Sequence, residues 1–256
     1  MPRDPRISEQ VLSYALPTEE DLFAELSAAT RWEDVGKGRK GAVLSKVDET
    51  HGVPLVRTTT RYANPAQRFR AVHARLAQRI QEWAAFPIGF NNALIEKYTD
   101  DYKKMGSHSD QALDLADESF IAVFSCYRRP ESTPPRKLIF ESKGEGEERC
   151  EIPLTHNGFV AFSVESNRRL KHRIVLDAPD RRAENEWLGV TFRTSRTRVR
   201  FRDGQAYLPH GPRLMAADDE QRREFYELRR RENNETDFVY PPLTYTVSES
   251  DLMPPV

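Results

Sequence analysis

From Phe90 to Phe201 the sequence reads as one short strand after another, and that succession constrains the fold more than any other feature of the chain. Leu94, Glu96 and Tyr98 share one face of the first strand and Ala93 and Ile95 the other, since side chains alternate along extended backbone. Ile121 to Tyr127 is apolar throughout, as expected of a strand covered on both sides. Arg128 to Pro135 is a turn-rich loop, Lys137 to Glu141 a short strand, and Lys143 to Arg149 a charged hairpin connection. Pro153 to Val164 turns at Gly158 into Phe159-Val160-Ala161-Phe162; His172 to Leu176 follows, and Trp187 to Phe201 is a long last strand. Preceded by two helices, this series predicts an α+β chain with a mostly β core, a distorted jelly roll.

The first helix is expected from a Thr18 cap, with Glu19, Glu20 and Asp21 in its first turn and Leu22, Phe23, Leu26 and Ala29 as its apolar stripe. Asn64-Pro65 is expected to open the second, where Phe69, Val72, Leu76, Ile80 and Trp83 recur at helical spacing. His73 lies beside that stripe as a core or boundary histidine. Val53 to Tyr62 reads as extended, and the glycine-rich Gly36 to Gly41 as a solvated turn without the phosphate-loop pattern. Beyond the last strand, Asp218 to Arg231 is helical, acidic at its start and basic at its end, with a narrow stripe of Phe225 and Leu228 flanked by Tyr226. The tail from Phe238 to Val256 either wraps the surface or covers a pocket, with wrapping preferred. The division expected is a catalytic domain over 1–202, its β core about 88–202, and a C-terminal extension over 203–256 packed on it.

Composition narrows the partners. A net charge of -1 exerts no global pull on nucleic acid or anionic membranes, so any such binding must come from local patches. Two cysteines, Cys126 and Cys150, imply no disulfide framework. No signal core and no apolar run of membrane-spanning length occurs, so a soluble, cytoplasmic protein is expected.

The chemistry concentrates in Phe90 to Asp110. His108 and Asp110 are separated by one residue, and on extended chain they point to the same side. His172, in Leu170-Lys171-His172-Arg173-Ile174, is the best third ligand; His51, His156 and His210 have no motif around them. Two histidines and a carboxylate on one face of an octahedron leave positions open opposite, the arrangement of non-haem Fe(II) oxygenases. On the last strand Trp187, Gly189, Thr191, Arg193 and Ser195 share a face, so Arg193 can point inward, and a buried guanidinium needs an anion. That anion is a ligand carboxylate, such as one of 2-oxoglutarate, or an internal acid such as Glu96.

In order and at compatible separations, Phe90-Asn91, Leu94-Ile95, Tyr98, Met105 to Asp110, Ser119 to Ser125, Asn157-Gly158, His172-Arg173-Ile174 and Thr191-Phe192-Arg193 resemble the AlkB-like family of Fe(II)- and 2-oxoglutarate-dependent dioxygenases. The resemblance covers roughly 88–200 and implies a double-stranded β-helix. It also implies iron at His108, Asp110 and His172, with cosubstrate contacts from Tyr98 and Arg193. The implied reaction decarboxylates 2-oxoglutarate to succinate while dioxygen hydroxylates a C–H bond; on an N-methyl group the product collapses to formaldehyde and the free amine. The chain departs from the family pattern at Trp187, Gly189 and Glu96, where an arginine and two asparagines of the cosubstrate clamp usually stand. Arg193-Thr194-Ser195 matches the R-x-S clamp of related oxygenases, which brings in Ser195. Ala112 stands where repair enzymes carry a base-reading acid, unless Asp114 or Asp117 replaces it.

Three functional readings remain at this point. An oxygenase of an unidentified organic substrate, a small molecule by preference, fits the neutral charge and the missing acid. An AlkB-type demethylase of alkylated nucleic-acid bases fits the overall resemblance and the alternating Arg196, Arg198, Arg200 and Arg202, which either track phosphates or form a solvated edge. A non-catalytic binding protein on the same scaffold fits the altered clamp. Arg168-Arg169 and Arg181-Arg182 are expected at the surface or at a site mouth.

Overall fold

The computed structural model describes residues 6–131, 136–144, 148–176, 185–209 and 211–256. Its strands are β1 (Val11–Ala15), β2 (Glu33–Gly36), β3 (Arg39–Ser45), β4 (Val53–Pro54), β5 (Gln67–Arg68), β6 (Asn92–Tyr98), β7 (Phe120–Tyr127), β8 (Arg136–Ser142), β9 (Arg149–Pro153), β10 (Gly158–Ser163), β11 (Leu170–Leu176), β12 (Trp187–Arg193), β13 (Arg198–Arg202), β14 (Gln205–Tyr207), β15 (Met215–Ala216) and β16 (Tyr245–Thr246). The helices are α1 (Ile7–Gln10), α2 (Leu22–Ala29), α3 (Ala71–Trp83), α4 (Val164–Arg169) and α5 (Asp219–Glu232). The architecture is mostly β, and no described helix is long and apolar enough to cross a membrane.

The major sheet runs β1-β10-β7-β12-β6-β3-β2, all neighbours antiparallel, with β5 joining β3 in parallel. A second antiparallel sheet, β11-β8-β9, is extended by bridges from Lys104 to Val175 and His108 to His172. Alternation along the central strands explains the layering. Ala93 and Ile95 of β6, Ala122, Phe124 and Cys126 of β7, and Leu188, Val190 and Phe192 of β12 join Leu26 of α2 and Leu76 and Ile80 of α3 in one core. The opposite faces supply Tyr98, Ile121, Val123 and Trp187 to a second core with Leu138 and Phe140 of β8 and Leu170 and Ile174 of β11. Two layers on either side leave the central strands no solvated face, hence the unbroken apolar run of β7.

At the end of the second core away from His108 stands Trp187. There the indole of Trp187 stacks 4.8 Å from Tyr98 and donates to Ser125 Oγ at 2.7 Å. It lies across Gly189, where a Cβ would meet the ring at 2.0 Å; glycine is required by that close approach. Arg136, 1% exposed, closes the same end, its guanidinium 5.2 Å from the Tyr98 ring and donating to the carbonyls of Tyr102 and Thr99.

Several expected boundaries move. Thr18 spends its hydroxyl on the Glu20 N–H, and Asp21 caps the first helix instead, accepting from the Ala24 N–H. After Asn64-Pro65 the chain stays extended to pair β5 with β3, so the second helix starts only after Arg70, and Trp83 is exposed. Of Val53 to Tyr62 only Val53–Pro54 forms a strand. The long last strand is two: β12 ends at Arg193 and β13 starts at Arg198 in a separate sheet with β14 and β4. Between them Ser195 is clamped, its N–H and C=O bonded to the Asn91 amide at 2.8 and 3.0 Å and its hydroxyl donated to the Leu55 carbonyl. The helix near the C-terminus is capped by Asp218 and runs to Glu232, and the tail wraps back so that Val256 pairs with Ala66 and Arg68. Gly36, Lys37 and Gly38, all at positive φ, form the turn between β2 and β3. Cys126 and Cys150 are unpaired. Arg181, Arg182, His210 and the tips of the 128–135 and 143–149 loops lie outside the described residues.

Candidate metal centre

The bridge between His108 and His172 exchanges both backbone hydrogen bonds, N–H to carbonyl at 2.9 and 2.6 Å. Residues directly opposite in such a pair project to the same side, and the rings lie 4.6 Å apart. Asp110, two residues on, adds its carboxylate to that side: Oδ1 is 3.8 Å from His108 Nε2 and 3.7 Å from His172 Nε2. One donor atom from each residue falls within 4.8 Å of the others, the single such group of three among the described residues. One ion with bonds of about 2.0–2.2 Å can join the three with small adjustments.

Electrostatics prepares all three as ligands. Burial, above all, pushes His172 down to about 3, helped by the neighbouring His108. Burial likewise lowers His108, so both rings are neutral at neutral pH with lone pairs to offer. His108 Nδ1 faces the Gly106 carbonyl at 2.8 Å, so the tautomer that donates there leaves Nε2 as the acceptor turned to the cluster. His172 Nδ1 is buried without a hydrogen-bond partner. For Asp110 burial alone would raise the pKa, but the Arg193 guanidinium, with Nε 2.7 Å from Oδ2, holds the carboxyl well below the usual carboxylate range. Arg193 thus takes one oxygen and leaves the other facing the imidazoles.

No protein-family model matches the sequence, and no curated protein matches it. Among solved structures the chain is similar to OsALKBH1, with 12% identity and a TM-score of 0.48 over 72% of this chain and 98% of that one. At that similarity the chemistry rests on the residues themselves.

A cavity of about 360 Å³ opens over the cluster, within the range of small-molecule sites. It is lined by His108, Asp110, His172 and Arg193 together with Thr191 and Leu94 of the sheet, Arg39, Glu96 and the threonines at 58–60. Arg39 reaches in from β3, its Nε 2.6 Å from Glu96 Oε1. Of the residues expected to hold a cosubstrate, only Arg193 lines this cavity. Tyr98 is buried behind it and donates its hydroxyl to Glu96 Oε2 at 2.7 Å. Ser195 is buried in its own backbone turn.

The alternative partner for Arg193, Glu96, is taken by Arg39. The alternative base-reading acids are also engaged: Asp114 is fully buried against Arg57, and Asp117 is exposed and paired with Arg168 and Arg196. Arg198, Arg200 and Arg202 lie on β13 and do not line the cavity; Arg196 is in the preceding turn, so the four do not form one continuous row.

Sequence reasoning missed several residues that hold the ligand segment. Asn167 of α4 accepts from the Asp110 N–H at 2.8 Å and donates to the Asp110 carbonyl at 2.7 Å, taking the place of a neighbouring strand. Its only sequence trace is the Ser163 cap that starts α4, whose hydroxyl accepts from Ser166 N–H. Arg39 is equally invisible, lying in a strand read as part of a solvated turn.

Proposed function

We propose that the chain is an Fe(II)- and 2-oxoglutarate-dependent dioxygenase that hydroxylates, or oxidatively demethylates, an organic substrate. The observation that carries the reading is two neutral imidazoles and one carboxylate oxygen converging on a cavity wall, with the cavity side free for other ligands. The order of the strands supports it. From β6 to β12 the chain passes between two sheets, broken only by the β8–β9 hairpin: β6, β7, β10 and β12 in one and the His108 segment, β8, β9 and β11 in the other, as in a jelly roll. In this reading residues 1–202 form the oxygenase domain and 203–256 an extension packed upon it.

His108, Asp110 and His172 would hold the iron, which with a 2-oxo acid and dioxygen supplies the oxidising power for C–H hydroxylation. The protein's part is positioning and exclusion of water. Arg193 fixes Asp110 and presents a cation beside the metal. Tyr98 acts through Glu96, and Ser195 through the turn that ends β12. Arg39, flanked by the threonines, is the cation we assign to the far carboxylate of the cosubstrate, in place of the arginine that Trp187 displaces. The modest cavity and the absence of the β13 arginines from its lining favour a small molecule over an alkylated base.

Anaerobic addition of Fe(II) and 2-oxoglutarate should produce a visible charge-transfer band, and Arg39→Ala should weaken 2-oxoglutarate binding about tenfold, the worth of one charge-assisted hydrogen bond. Iron bound without any such band would contradict the cosubstrate. Repeated turnover on oligonucleotides bearing N1-methyladenine or N3-methylcytosine, lost in His172→Ala, would favour the demethylase reading instead.

A further inference from the structure

The segment that carries His108 and Asp110 pairs with β11 on one side only. On its other side stands the end of α5, contributed by the C-terminal extension. Asn233, which caps α5, accepts from the Ser109 N–H through Oδ1 at 2.9 Å. Arg229 donates to the Ser109 carbonyl. Glu232 accepts from the Ala112 N–H at 2.8 Å. Three side chains of one helical turn therefore satisfy the outward backbone groups of the residue between two ligands and of the residue two beyond the second. An exposed strand edge has a row of unpaired groups there.

The helix end is itself held. Arg229 and Glu232 pair at 2.7 Å, both nearly buried, and Tyr240 donates to the same Glu232 oxygen at 2.7 Å. Lys143, at the end of β8, donates to the Glu232 and Glu235 carbonyls and so ties the end of α5 to the second sheet. Arg229 and Asn233 also line the cavity.

We infer that the C-terminal helix is a working part of the metal centre: Asn233, with Arg229, is a positioning residue that fixes the spacing of His108 and Asp110 by holding the Ser109 backbone between them, while Glu232 holds the chain just beyond at Ala112. The inference rests on the metal-binding reading above. It gives the extension a role in the site that wrapping alone would not.

The test uses the full chain and Co(II), whose visible spectrum reports ligand geometry. Wild-type protein is titrated beside Asn233→Leu, which keeps the size of the side chain and removes the acceptor. Asn234→Leu, one residue further along the same helix end, is the control. Asn233→Leu should bind Co(II) about tenfold more weakly, the low end of what losing a partner behind a ligand costs. It should also shift the visible bands and speed hydrogen exchange at the Ser109 amide, with the helical content by circular dichroism unchanged. Asn234→Leu should match wild type in all of these. Unchanged affinity, bands and exchange in Asn233→Leu would overturn the inference, as would equal losses in the two variants, which would mark a general loosening of the helix. His172→Ala separates the two levels: if it binds Co(II) as wild type does, the metal reading itself fails, whatever Asn233 does.

Discussion

Asp110 and Asp114 stand in the same short segment, both buried and both paired with an arginine, yet their surroundings assign them different work. Asp114 is closed. Arg57 donates to Oδ2 from its backbone N–H and Nε at 2.8 and 3.0 Å and to Oδ1 from Nη2 at 2.8 Å; its remaining Nη1 is taken by the carbonyls of Leu243 and Tyr245. Asp110 is open. Arg193 takes one oxygen, and the other faces two neutral imidazoles whose Nε2 atoms stand 3.8 and 3.7 Å away, beyond hydrogen-bond reach. A closed pair ties the Asp114 segment to the chain at Leu243 and Tyr245, whereas an open one keeps a carboxylate oxygen that a cation could use. The difference shows why burial of a charge says little by itself: what counts is which lone pairs are left over.

The comparison breaks most easily at the closed pair. Asp114→Asn strands the Arg57 guanidinium in the interior, and unfolding in denaturant should show a loss of about 3–5 kcal/mol. Asp110→Asn should cost distinctly less, because Arg193 lines a cavity that water can enter. Equal losses would erase the distinction between the two carboxylates.

A buried imidazole far from the cavity sharpens it. His73 accepts from the Arg70 N–H at the start of α3, and burial, then Arg70, pushes it down to about 4. Unfolded, it titrates near 6.5, so between these values the unfolded chain binds the extra proton. Stability is therefore full above about pH 6.5 and should fall by about 3 kcal/mol as the pH drops to 4. His73→Gln keeps the acceptor without the titration and should flatten this part of the pH profile, measured by denaturation at each pH. A profile unchanged by His73→Gln would show that this histidine is not a neutral structural acceptor.

The Trp187 end of the second core offers a smaller effect. Gly189→Ala drives a methyl into the Trp187 indole, and the strain of overpacking should lower stability by about 1–3 kcal/mol. Metal affinity should stay as in wild type, since the ligands lie at the other end.

Much of this was legible in the chain. Strand alternation named the faces of β6 and β12, the apolar run of β7 announced a doubly covered strand, and the His-x-Asp spacing together with His172 located the cluster. Boundaries were legible only in part. Thr18 and Asn64-Pro65 look like caps, but a local turn at Glu20 and the pairing of β5 compete for the same backbone. The break after Arg193 depends on Asn91 reaching Ser195 across the sheet, and the support of Ser109 on Asn233 and Arg229 spans nearly half of the chain. Polar side chains bonded to distant backbone leave no periodicity in sequence, so no pattern could reveal them. Trp187 and Gly189 carried a signal of another kind: a large residue and an absent one, two apart on a strand, which the structure joins as ring over backbone.

Metal stoichiometry tests the central claim most directly. Apo protein dialysed against Fe(II) without oxygen, or against Co(II), should take up one ion per chain, while Asp110→Ala and His172→Ala should each lower affinity by more than about 100-fold with the fold intact. Equal stoichiometry and affinity in wild type and both variants would contradict the account.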